Sequence, residues 1–406
     1  MLAALEYEAE TTFGEDVTTF ATHRIPIQKP PDIGQIFHEK VDANRVIQYR
    51  NDRTQWITGV MGGSVKIRLW VTGHGATMVG SPTVDAIETF LALVLGGNSG
   101  AGDLSASAST TFTGGTAAVP TTTASGTFDA GGLCRAGVLG DGRGNGQFYA
   151  ITTHTGTSLT LVGALDAAPN SGDVLFPVVQ LYEPEAPTTT AVTGIRMRFL
   201  SGNLGYELHG CYPTACEWGG LNPGEVPWVE ITYGVSWWRY TTATFPSTVT
   251  SNIYQPAPIA AGSLNVQDVG TTTRNKRTYR NLSLKHQLNV VPLPGPGGAS
   301  IYQRYVGARR LPTTVEVSWT EDADTATLTP VLPGYGTATT FKHIEWTGSV
   351  TDGSAFGWKM PRAAITNVPI QKDDGGINRL MITAEAAVST VTTNDRTLAA
   401  IVFGMA

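Results

Sequence analysis

From Val229 the chain alternates strictly: Val229, Ile231, Tyr233, Val235 and Trp237 share one face of an extended strand, and Glu230, Thr232, Gly234 and Ser236 share the other. A period of two with one apolar face fixes a half-buried β-strand, because slipping it by one residue would turn every apolar side chain to solvent. An Asn222-Pro223-Gly224 turn leads into it. The pattern returns from Gly375 to Ala386, where Gly224 corresponds to Gly375, Val226 to Ile377, Val229 to Leu380, Ile231 to Ile382 and Thr232 to Thr383. A repeat at a constant offset predicts duplicated β-domains.

The rest of the composition fits that prediction. With 406 residues the chain can build two or three cores. Glycine (47) and proline (23) punctuate short β-branched runs, which argues for an all-β protein rich in turns. Charged residues are 15 % and the net charge is −6, against a protein that grips nucleic acid by neutralising phosphates; the low charge also suits a surface covered by neighbouring subunits. Three cysteines, Cys134, Cys211 and Cys216, are too few for a disulfide framework and read as small buried thiols in a reducing compartment. The acidic start has no signal-peptide pattern and the longest apolar run, Phe90 to Leu95, is far too short for a membrane span, so synthesis and maturation in the cytoplasm are expected.

Along the chain, residues 1–55 read as an extended arm or edge strand, and 56–125 with 184–245 as a first β-domain. Its first clear strand is Ser64 to Thr72. A helix follows, started by Ser81-Pro82-Thr83, with Asp85 and Glu88 in its early turns, a stripe of Val84, Ile87, Leu91 and Val94, and Gly96-Gly97 at its end. Residues 97–125, nearly all Gly, Ser, Ala and Thr, read as a flexible linker or a loosely packed hairpin. Residues 126–183 hold five short strands and predict a small inserted β-barrel module. The spacing from Val65 to Val226 exceeds that from Leu282 to Ile377 by about the length of this module, which makes the Val65 and Leu282 strands counterparts and places the insertion in one copy only. Strands 195–200, 204–209 and 211–218 then lead to the central strand. Residues 246–261 read as a linker and 262–406 as the second domain.

Enzyme chemistry finds no support in the motifs. There is no G-x-S-x-G elbow, H-E-x-x-H helix or P-loop. Gly140 to Gly146 is glycine-rich without a strand-then-helix context, and Asp322, Asp324 and Asp373-Asp374 do not follow calcium-loop spacing, so turn chemistry is the better reading. His209 and His286 fall in strands, as structural histidines do. The basic clusters Arg274 to Arg277 and Arg309-Arg310 are small and suit solvated or inter-subunit contacts. No catalytic residue, metal or cofactor is expected.

Several stretches resemble the major tail tube proteins of long-tailed, siphovirus-type bacteriophages. They are Glu10 to Asp16 (ETTFGED), the helix after the first strand, Gly210 to Trp238, the module segment LTLVGALDAAPNSGDV, and the ending WKMPRAAITNVPIQKDDGGINRLMITAEA. Related tail parts such as distal tail and hub proteins share the likeness. The resemblance implies an all-β fold with minor α: tandem tail-tube-type β-sandwich or barrel domains plus the inserted β-barrel module. It implies inner sheets joined side by side into a ring-shaped barrel around a channel, with the helix outside them and rings stacked through loops and arms. Such rings present six tube domains, so a chain with two implies a homotrimer, with a hexamer as the alternative. The implied partners are further copies of itself, a tape measure protein and tail terminator or distal tail proteins. Genomic DNA passes without specific binding, no membrane is involved, and the site of action is the virion tail, assembled in the host cytoplasm.

A conduit for DNA needs a wall that repels or ignores phosphates. The polar phases of the two repeat strands, Glu230, Thr232 and Ser236, and Met381, Thr383 and Glu385, are therefore the candidate lumen-facing residues. The alternatives are a distal tail or hub protein forming a single ring, and a carbohydrate-binding protein of the virion surface that would use Trp237 and Trp238, although tryptophans in a strand more often serve core or interface packing.

Overall fold

The structure, a computed structural model, describes residues 3–17, 20, 23–29, 31–33, 37–42, 56–74, 84–95, 103–123, 128–137, 146–182, 192–201, 204–241, 258–259, 262–295, 305–311, 313–322, 341–348, 354–368, 370–372, 378–387 and 399–406. These residues are almost entirely antiparallel β, with one helix. The expected crossover, the 140–145 loop and Asp373-Asp374 lie outside them, apart from residues at the crossover's ends.

One sheet runs through both halves of the chain. Its strands lie in the spatial order Asp32–Ile33, Trp56–Trp70, Trp228–Val235, Leu204–Gly219, Arg280–Gln287, Thr314–Asp322, Asn378–Ala386 and Phe356–Asn367. The alternating pattern dictates its inner side: Val65, Ile67, Leu69, Val229, Ile231, Tyr233, Val315, Val317, Trp319, Leu380, Ile382 and Ala384 are all buried. The halves meet where Ala215, Cys216, Glu217 and Trp218 pair with Gln287, His286, Lys285 and Leu284. This seam puts Trp218 into the core of the second half, where it stacks on Phe403 at 4.1 Å.

Each half covers its part of the shared sheet with a second layer. In the first half this layer is Arg24–Ile27, Ala3–Ala9, Ile195–Ser201, the start of Leu204–Gly219 and Trp237–Thr241. In the second it is Lys276–Arg277, Ser263–Asp268, Lys342–Thr347, the start of Phe356–Asn367 and Val402–Met405, extended by Val179–Tyr182 and Asp103–Leu104. Two long strands pass from one layer to the other. Leu204–Gly219, read from sequence as two strands, is continuous and turns at Gly210 (φ 59°), where a Cβ would sit 2.6 Å from that of Ser236. Phe356–Asn367 turns at a register shift around Pro361.

Several expectations change. The stretch read as an N-terminal arm contributes Ala3–Ala9, paired on both sides, with Leu5, Tyr7, Ile25 and Ile27 in the core. The strand hydrogen-bonded to Trp228–Val235 is Trp56–Trp70, and the one bonded to Asn378–Ala386 is Thr314–Asp322, not the strand at 282–288. Thr314–Asp322 thus holds the place beside Asn378–Ala386 that Trp56–Trp70 holds beside Trp228–Val235. Spacing along the chain does not identify the partner here, because a strand's position in sequence does not fix its place in a sheet.

The helix Ala86–Leu95 starts one residue after Asp85, which caps it. Asp85 Oδ1 accepts from Ile87 N at 2.8 Å and Glu88 Oε2 accepts from Asp85 N at 2.8 Å, a reciprocal capping box. The residues expected to start it, 81–83, lie outside the described set. The helix is buried well beyond one stripe: Phe90 meets Tyr7 of the second layer at 4.8 Å and Tyr233 of the shared sheet at 6.3 Å, so it packs between the layers. Its Glu88 carboxylate, fully buried, also meets His74 Nδ1 at 2.9 Å.

Strands Thr110–Gly115, Pro120–Thr122, Leu133–Ala136, Phe148–Thr155, Ser158–Leu161 and Val174–Phe176 close a six-stranded barrel around Phe112, Phe128, Tyr149, Ile151, Leu159 and Leu175. Two of them come from the stretch whose composition reads as a linker or loose hairpin. Glycine and threonine there form the tight hairpin Thr110–Thr122, in which Thr113 donates to Thr121 at 3.0 Å. The barrel docks on the second half. Phe148 N donates to Thr347 Oγ1 at 3.2 Å, Ala150 N to Glu345 Oε1 at 3.0 Å, and Lys359 Nζ to the carbonyls of Gly131 and Gly132.

Candidate functional site: the open face of the shared sheet

The outward side of the shared sheet carries one row of charge across both halves. Reading register partners strand by strand, Arg68 lies opposite Glu230, Glu230 opposite Glu217, Glu217 opposite Lys285, Lys285 opposite Glu316, and Glu316 opposite Glu385. Glu217, Lys285, Glu316 and Glu385 are exposed. Glu230 is mostly covered, held by Arg68 Nη2 at 2.7 Å and Lys66 Nζ at 3.7 Å, while the Arg68 guanidinium lies 4.0 Å above the Trp228 ring.

Five of the six candidate residues lie on this face. Glu230 and Thr232 belong to one repeat strand, and Met381, Thr383 and Glu385 to the other; Thr232, Met381 and Thr383 are half-buried. Ser236 does not lie there. It is fully buried, its Oγ donating to Tyr305 O at 2.9 Å and accepting from Tyr305 N at 3.1 Å, because the alternation breaks between Val235 and Trp237 where the chain passes to the second layer. Trp237 and Trp238 are buried as well. Trp237 stacks on His209 at 4.0 Å and donates to Gly14 O at 2.8 Å, so neither indole offers a sugar platform.

Sequence reasoning missed Arg68, Glu217, Lys285 and Glu316. One signal was available: Val315-Glu316-Val317-Ser318 has the same pattern as Val229-Glu230-Ile231-Thr232.

The second layer of the first half places its charge differently. Arg24, Glu6, Arg198, Glu207 and Arg239 alternate in sign across five strands in register. Arg24 and Glu6 are 2.9 Å apart, Arg239 and Glu207 2.5 Å apart, and Arg198 pairs with Glu6. Burial acts to raise the Glu207 carboxyl, but His209, 4.0 Å away, and Arg239 prevail and hold it down at about 2. The open face instead sets carboxylates directly opposite each other twice, Glu217 with Glu230 and Glu316 with Glu385, an arrangement that costs stability.

Among the described residues no group of three or more His, Cys, Asp or Glu side chains could hold a metal ion, and no helix is long and apolar enough to cross a membrane. All three cysteines are buried, and none forms a disulfide. No protein-family model matches the chain, and a search of curated proteins gives no match.

Proposed function

We propose that this chain is a structural virion protein whose copies assemble into stacked rings, forming the tail tube through which phage DNA is ejected. The observation that carries this reading is the open face: an exposed charged row, continuous over two halves, with carboxylates opposed where pairing with cations was available. A local rule broken on an exposed surface marks function more than stability, and a wall that exposes the carboxylates of Glu217, Glu316 and Glu385 repels phosphates. The candidate lumen residues are Glu230, Thr232, Met381, Thr383 and Glu385.

The strand order supports a tandem duplication. Asp32–Ile33, Trp56–Trp70, Trp228–Val235 and Leu204–Gly219 form one group of four. Arg280–Gln287, Thr314–Asp322, Asn378–Ala386 and Phe356–Asn367 form the next, and in both the fourth strand turns the corner into the second layer. Two tube-type units per chain favour a homotrimeric ring, with the six-stranded barrel on the outside. Tape measure, terminator and distal tail proteins are the further partners of such a tube.

Electron microscopy of the purified protein at high concentration, with native mass spectrometry of the soluble fraction, tests the proposal. Hollow tubes with threefold rings of two-unit chains are expected. Discrete rings that never elongate would instead indicate a distal tail or hub protein, and a protein that stays monomeric alongside purified tail components would overturn the reading.

A further inference from the structure

The two halves exchange arms. The first half sends residues 103–182 onto the second, where Val179–Tyr182 pairs with Val402–Met405 and the barrel docks on Glu345, Thr347 and Lys359. The second half sends back the hairpin formed by Val290–Pro294 and Tyr305–Arg310. A two-stranded hairpin is marginal on its own in water, and this one is held almost wholly by the first half. Tyr305 exchanges both of its backbone hydrogen bonds with the Ser236 hydroxyl and sets its ring edge-on to Tyr212, 5.9 Å away. Ala308 O accepts from Val192 N at 2.9 Å. Arg310, buried, donates from Nη2 to Val94 O at 3.0 Å and from Nη1 to Leu95 O, closing the carbonyl end of the helix.

The direct seam beside it is short, four residue pairs between 215–218 and 284–287. We propose that the paired strands Val290–Pro294 and Tyr305–Arg310 are a clasp that fixes the angle between the halves at this seam. The helix end, Ser236 and Val192 are its anchorage points on the first half, the first two through side chains. The hairpin follows the seam strand Arg280–Gln287 directly, so releasing it frees that strand to pivot. In a ring, the angle set here is the curvature each chain contributes; that consequence rests on the tube reading, whereas the clasp does not.

Hydrogen exchange of the soluble protein, followed by mass spectrometry, tests it. Arg310→Ala combined with Ser236→Ala is expected to speed exchange at 215–218 and 284–287 about tenfold, leaving strands 65–70 and 379–385 unchanged, and Arg310→Lys is expected to be intermediate. Faster exchange confined to the hairpin, with the seam unmoved, would overturn the clasp. Should the double variant not fold, Ser236→Ala alone is measured against the same two outcomes. Wild-type protein that never forms tubes, with the seam effect intact, would refute the tube and not the clasp; tubes without the seam effect would refute only the clasp.

Discussion

Glu217 and Glu230 face each other directly on neighbouring antiparallel strands. Glu230 has Arg68 at 2.7 Å, whereas Glu217 is exposed with Lys285 as its opposite neighbour on the far side. Removing the like charge should therefore relieve the pair without stranding a cation. Glu217→Gln is expected to raise the stability of the soluble protein by about 0.2–1 kcal/mol, read from denaturant midpoints at low salt, with the gain shrinking as salt is added. A lower midpoint would show that Glu217 is held by contacts other than this row.

Reversing the charge of the wall tests its role more directly. Glu230→Lys with Glu385→Lys places two cations among Arg68, Lys66 and Lys285 on the open face. On the proposed tube reading, the variant is expected to assemble and to slow DNA ejection from reconstituted particles, because phosphates would stick to the face. Ejection at the wild-type rate would place the lumen elsewhere.

The barrel has natural cutting points. Deleting 126–183 would remove Val179–Tyr182 from the second layer and leave the barrel strands Thr110–Gly115 and Pro120–Thr122 without Val174–Phe176 and Ser158–Leu161 beside them. Loss of soluble protein is expected. Leu104 and Val179 are register partners, so replacing 105–178 with a two-residue Asn-Gly turn keeps that pairing. This excision is expected to fold and to assemble; failure of a folded excision variant to assemble would give the barrel a part in tube formation.

Glu345 tests how firmly the barrel is docked. Arg274 Nη2 lies 3.0 Å from it, His343 Nε2 is also at 3.0 Å, and the Arg274 guanidinium lies 4.4 Å over the Tyr149 ring of the barrel. Burial acts to raise the Glu345 carboxyl, but Arg274, with His343 and the Ala150 amide, prevails and holds it at about 2, against an ordinary 4.5. A depressed carboxyl stabilises the fold above its ordinary value and loses that contribution as pH falls towards 2. Glu345→Gln should accordingly flatten the acid limb of the stability profile. Arg274→Ala, which takes the guanidinium from a buried carboxylate, should cost about 3–5 kcal/mol. A neutral result in thermal unfolding would mean that water reaches the site.

Glu10 shifts the opposite way. It accepts from Gly14 N at 2.7 Å and Gly210 N at 2.8 Å, yet burial outweighs both bonds and pushes it up to about 7, with Glu15 adding to the rise and Arg196 opposing it. The folded chain thus holds a proton that the unfolded chain releases near 4.5. Stability from this group is complete below that value and declines as pH rises through about 7. Glu10→Gln should abolish this slope when unfolding is compared at about pH 5 and pH 8; an unchanged slope would assign it to another group.

Much of the sheet is legible in sequence because alternation encodes burial locally: Val229, Ile231 and Tyr233 announce their face, as do Leu380 and Ile382. What joins the strands is not local. The register that sets Glu217 beside Lys285, or threads Glu6 between Arg24 and Arg198, depends on residues distant in the chain. The Gly210 corner was hidden for a related reason: a glycine between two alternating runs reads equally as a loop or a bend. Ser236 was misplaced because alternation was carried one step past the residue where the chain changes layer.

The exchanged arms have a consequence for the covalent chain itself. Each half completes the other, the first lending a strand beside Val402–Met405 and the second a cap for the helix at Leu95. A cut at any bond between residues 242 and 257 should therefore leave two fragments that stay associated as a non-covalent heterodimer. Expressed separately, neither fragment would be self-sufficient. Together they would behave as a split protein, reconstituting only when both are present.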